Sequence, residues 1–231
     1  MSGGGGIRRY AVAWCYLAGF VALQGTYLVL GVGARAALLT FASTSVANLE
    51  HDPAGSLMVS AFVSGGGLGG TVTWLPPIAI AMCGACHAIG GARTVAACAA
   101  GHVTGTLVSE GIVAWRVHAG ALPDRYLHLT DVGPSYVVVS ALVAAMACAS
   151  WSWRARPAWV WRILAAAALL LLIYPGQIFS GLTSLDVAAV GHVTAITTAL
   201  LLTALVAPGP RRTLRRVSRR PCRRRRDRSG R

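Results

Sequence analysis

Residues 187–206 read VAAVGHVTAITTALLLTALV, twenty positions with no formal charge and a single histidine, His192, six from the start. Twenty residues at a rise of about 1.5 Å make a helix of roughly 30 Å, the thickness of the hydrocarbon core of a bilayer. The stretch stays uncharged to Pro210. It therefore predicts a membrane span. The fold follows from how many other stretches of the chain read the same way. His192 itself is ionisable inside an apolar span, where such a group is costly and by default marks a functional position.

The rest of the chain supports that reading. Of 231 residues, 55% are hydrophobic and only 12% charged, and the mean hydropathy is +0.60. This composition excludes an ordinary soluble domain and points to an all-α, polytopic membrane protein. Further apolar runs predict spans at about 10–31, 72–90, 94–115, 133–150 and 159–175, which makes six with 187–206. The segment 32–71 is too polar to cross a membrane and apolar enough to lie at its surface. Within it, Gly65–Gly70 is expected to break the chain before the second span. Trp151, Trp153, Trp159 and Trp161 beside Arg154, Arg156 and Arg162 form an interfacial aromatic belt. Residues 1–9 are a short N-terminal segment, and 207–231 an arginine-rich tail with nothing apolar to fold on.

Charge orients the spans. With the N-terminus inside, 18 of the 21 basic residues, all arginine, fall in inside segments, while six of the seven acids fall outside. Short loops near spans follow this positive-inside bias. The expected location is the cell membrane, multi-pass, with both termini cytoplasmic. The net charge of +14 would otherwise point to nucleic acid, but twelve arginines lie between Arg211 and Arg231, without aromatic or motif context. Such a tail is expected on anionic lipid, at roughly 1 kcal/mol per arginine near the surface, and nucleic acid is not an expected partner.

In this topology the segment Asp131-Val132-Gly133-Pro134-Ser135-Tyr136 opens the fourth span from outside, and His192 lies a similar distance into the sixth. A serine with a histidine base is the minimal nucleophilic pair for acyl transfer. A helix N-terminus at the serine would offer free amides to an oxyanion. The bland alternatives are a serine cap and a histidine bonded to a neighbouring helix. Gly191, Ala195 and Ala199 place small residues on one face of the last span, allowing close helix approach.

Gly133-Pro134-Ser135 and His192-x-x-Ala195-x-x-x-Ala199, together with six spans and a long first loop, resemble the rhomboid intramembrane serine proteases. Ala42–Leu49 and Asp131–Tyr136 are similar to the divergent rhomboid-like membrane proteins of actinobacteria. The resemblance implies a six-helix rhomboid-like bundle, with Ser135 as nucleophile and His192 as general base. It departs from the family at Tyr136, which replaces a glycine. The second-span motif His-x-x-x-Asn is also missing, because Asn48 is the only asparagine. His102, Asn48 and His51 are then the candidates for the oxyanion-binding role.

The leading function is hydrolysis of a peptide bond in a transmembrane protein substrate. The alternatives are a non-catalytic rhomboid-like protein that binds membrane clients, and a small transporter using the four-residue stripe His102, Thr106 and Glu110. Cys83-Gly84-Ala85-Cys86-His87 matches a haem-attachment pattern. It falls near the cytoplasmic end of a span, whereas attachment needs an exposed extracytoplasmic segment, so no cofactor or metal is expected. Five of the six cysteines lie in apolar runs and read as small hydrophobes.

Overall fold

The computed structural model describes residues 4–148, 156–173 and 178–206. Among them the regular structure is entirely helical. The long helices are α1 (Gly4–Val29), α5 (Gly67–Ile89), α6 (Gly91–His118), α7 (Ser135–Cys148), α8 (Arg156–Ile173) and α9 (Val187–Val206). Between α1 and α5 lie three shorter ones, α2 (Val32–Ala42), α3 (Val46–His51) and α4 (Pro53–Ser60). Among the described residues three helices could, by length and composition, each cross a membrane: Arg8–Val29, Gly67–Ile89 and Val187–Leu205. The apolar parts of α7 and α8 are shorter, Ser135–Ala147 and Val160–Leu170. The tail 207–231, together with Trp151, Trp153 and Cys222, lies outside the described residues.

The first loop is more ordered than its sequence implies. Asp52 caps α4 by accepting the Gly55 N–H at 2.9 Å, and Pro53 supplies a first helical residue with no N–H to satisfy. Gly67–Gly70, expected as a break, are instead the first turn of α5. The glycine run marks a helix start because the break falls just before it, where Gly67 takes a positive φ of 60°.

α7 is the centre of the bundle, touching α5, α6, α8 and α9. It is apolar all round, as a helix with no solvent face should be. Val138, Ala141, Leu142, Ala144 and Ala145 are completely buried. Its neighbours come close because they present small residues. A Cβ placed on Gly84 of α5 would stand 3.1 Å from that of Ala145. α6 and α9 make the most extensive pairing of the fold, meeting at Gly101, Gly105, Gly191 and Ala195.

Candidate functional site

The segment before α7 is pinned to the first loop. The Thr44 N–H donates to the Asp131 carbonyl at 2.8 Å, and the Thr44 hydroxyl reaches the Asp131 carboxylate at 3.2 Å. The Ser43 hydroxyl accepts from the Asp131 N–H at 3.0 Å, and the Gly133 N–H donates to the Ser60 carbonyl at 3.2 Å. Ser135 is therefore delivered to the start of α7 by a loop fixed at both Asp131 and Gly133. Its side chain is half-buried.

α7 and α9 run in the same direction, since Tyr136 meets Val187 and Ser140 meets Ala195. Ser135 lies five residues above Ser140, and His192 three above Ala195. At about 1.5 Å per residue the two differ in depth by only about 3 Å. No hydrogen bond joins them. The residue against His192 is Tyr136, its ring edge-on at 5.2 Å between centroids. The Tyr136 phenol packs so tightly onto Gly191 that a Cβ there would collide with it. This is why the tyrosine requires the glycine one residue before the histidine.

His192 is buried, at 5% exposure. Its Nδ1 lies 3.0 Å from the Ile178 carbonyl. A carbonyl only accepts, so Nδ1 carries the proton and Nε2 holds the free lone pair. That Nε2 is buried and has no partner. A ring held this way by its other nitrogen has the polarity of a general base.

The three oxyanion candidates are engaged elsewhere. His102 Nε2 sits 3.0 Å from the Leu57 carbonyl and 3.1 Å from the Ser60 hydroxyl. The Asn48 amide donates to the carbonyls of Thr40 and Ser43. His51 is exposed and contacts the Ala47 carbonyl of its own helix. The polar stripe on α6 is buried as well. Thr106 is fully buried with its hydroxyl unpaired, and the Glu110 carboxylate faces the Val46 N–H at the start of α3. The Tyr136 hydroxyl donates to the Val187 carbonyl at 3.3 Å, with the side chains of Asp131 and Ser109 nearby. In the sequence Tyr136 stands only as a departure from a motif. In the structure it packs against the His192 ring and Gly191 and lies beside the His102 ring. Its signal was a large polar aromatic beside a serine at the start of an otherwise aliphatic run.

A second feature opens to the side of the bundle. A groove of about 660 Å³ runs between α1, α4 and α6, with Cys15, Met58, Phe62, Val95, Ala99 and His102 on its walls. Among the described residues no charged side chain lines it. Cys83, Cys86 and His87 lie apart from it near the end of α5, where the Tyr10 hydroxyl meets His87 Nδ1 at 2.9 Å. Among the described residues no cluster of three or more ionisable or thiol ligands could hold a metal.

No curated protein and no solved structure matches the chain. The model of a family described as rhomboid-like protein matches residues 7–211. An all-helical bundle with three helices able to cross a membrane, spanned almost end to end by that match, belongs to the rhomboid-like family of membrane proteins.

Proposed function

We propose that the protein is a six-span component of the cell membrane, with both termini cytoplasmic, which recognises the transmembrane segments of other membrane proteins. The groove between α1, α4 and α6 carries this reading. It is lined by no charged residue among those described, opens sideways from the bundle, and holds about 660 Å³. α1 and α6 touch only sparsely compared with α1 and α5, which leaves the space between them for another helix. The test is a photo-crosslinker placed at Val95 or Met58, with Leu201 on the exposed face of α9 as control. Cross-links to membrane-spanning segments from the first two positions and not the third are expected. Equal capture at all three would overturn the reading.

A second reading keeps Ser135 as nucleophile and His192 as base. It is favoured by the buried, unpaired Nε2 of His192 and by the matched depth of the two residues. The pair is not hydrogen-bonded here, and such bonds often tighten only when substrate is present. Hydrolysis of the client would then follow its recognition. A fluorophosphonate should label Ser135 in the folded protein. Labelling should vanish in Ser135→Ala and fall sharply in His192→Ala, because an unactivated hydroxyl is a poor nucleophile. An unlabelled wild type leaves client recognition without proteolysis.

A further inference from the structure

The two ends of the groove differ. At one end α4 bridges both walls. The Tyr16 hydroxyl of α1 donates to the Ala61 carbonyl, and Phe62 packs onto Gly19, where a Cβ would stand 3.1 Å from its ring. On the other wall the Leu57 carbonyl lies 3.0 Å from His102 Nε2 of α6. At the opposite end α1 and α6 meet at Val12 and Gly91, where a Cβ on the glycine would lie 3.0 Å from the valine. One turn below Val12 stands Arg8, which is exposed. Ala11 and Cys15 are exposed groove residues three and seven positions after it, so all three share one face of α1. Side chains lean towards the N-terminus of their helix. The Arg8 guanidinium is thereby carried away from the apolar wall and out to the level of lipid headgroups.

The groove is one leaflet deep. Arg8 to Gly19 is eleven residues, roughly 16 Å of helix, half of a hydrocarbon core about 30 Å thick. An acyl chain that starts at the headgroups ends at that depth, where α4 closes the space. The charge at the foot is not neutralised within the fold. No aspartate or glutamate occurs in residues 1–49 or 53–109, the segments that supply every wall residue but Val137. Arg9 gives its guanidinium to the His87 carbonyl at 2.6 Å on the α5 side. Arg8 has no such partner among the described residues. A guanidinium pairs well with a phosphate. A zwitterionic headgroup brings its own cation beside that phosphate and gains less.

We infer that the groove holds one acyl chain of an anionic phospholipid, drawn from the leaflet at the N-terminal end of α1, with its phosphate on Arg8. The inference goes beyond client recognition and does not depend on it: the chain covers the apolar walls whenever no helix is docked there.

The test uses the full chain in phosphatidylcholine vesicles that carry a small fraction of phospholipid with a diazirine at the end of one acyl chain. The headgroup of that lipid is either phosphatidylglycerol or phosphatidylcholine. After illumination, adducts are mapped by mass spectrometry and scaled to those on Leu201, on the exposed face of α9. Phosphatidylglycerol should label Met58 and Phe62, at the closed end, about fivefold more than phosphatidylcholine, the effect of roughly 1 kcal/mol for one arginine near the surface. In Arg8→Gln that preference should fall to about onefold. Arg93→Gln removes the same charge from the other side of α6, beside Leu202 and Thr203, and should leave the preference intact. Ala99→Phe fills the groove from an exposed wall position and should remove the Met58 and Phe62 adducts of both lipids. Equal labelling by the two lipids, a preference that survives Arg8→Gln, or one that falls equally in Arg93→Gln would overturn the inference. Adducts undiminished in Ala99→Phe would place the chain outside the groove and overturn it too. None of these outcomes touches client recognition, which the helix cross-links from Val95 and Met58 decide separately.

Discussion

Asp131 ties two loops together through Thr44 and Ser43 and faces Tyr136, Asp186 and Glu110. Burial pushes its carboxyl above the ordinary value near 3.8, and Asp186 adds to the rise. The bond from the Thr44 hydroxyl opposes it without cancelling it. A carboxyl raised in the folded state binds protons more tightly there than in the unfolded chain. Its contribution to stability is complete below the unfolded value and is lost as pH rises through the folded one. Asp131→Asn keeps an acceptor for the Thr44 hydroxyl and carries no charge. It should raise the unfolding midpoint at pH 7 more than at pH 4 and flatten the pH dependence between them. Denaturation in detergent at several pH values measures this. Parallel curves for the two proteins would mean that Asp131 is as easily ionised folded as unfolded.

Among the elements, the α6–α9 pair depends most on the absence of side chains. A Cβ on Gly105 would lie 2.9 Å from the Gly191 carbonyl and 3.3 Å from the Tyr136 ring. One of those neighbours is backbone, so the helices themselves would have to part. Gly105→Ala should cost about 1–3 kcal/mol, the usual range for overpacking. Gly111, six residues further along α6, has nothing within 4 Å. Gly111→Ala should be neutral or stabilising by up to about 1 kcal/mol, since alanine favours the helix. Thermal unfolding followed by helical circular dichroism compares the two. A Gly105→Ala protein as stable as Gly111→Ala would show that α6 and α9 do not meet so closely.

For the whole molecule, the arginine distribution makes a topological prediction. A reporter fused after Arg231 should lie in the cytoplasm, and a tag inserted between Gly120 and Pro123 should be accessible from outside. Protease cleavage of the C-terminal reporter on intact cells would contradict the six-span arrangement. Removing residues 211–231 should leave the bundle folded. It should abolish the salt-dependent attraction to anionic vesicles, which is screened over about 8 Å at physiological ionic strength.

Hydropathy was enough to read an all-helical membrane protein from the sequence, because the length of an apolar run is a local quantity, and the short motifs at Gly133–Ser135 and His192–Ala199 carried the resemblance to the rhomboid family. The start of α7 and the course of α9 were legible for the same reason. Ser135 and His192 could be matched in depth by counting residues from the ends of their spans. Counting gives height along a helix, not rotation about it. Only the packed bundle decides that Tyr136, one position and about 100° further round α7, is the residue against His192. Local pattern was equally silent on the partners of His102, which come from Leu57 and Ser60, more than forty residues away in the chain. The same packing fixes which of its nitrogens is left free, because the tautomer follows from a carbonyl that the fold, not the neighbouring sequence, brings to the ring.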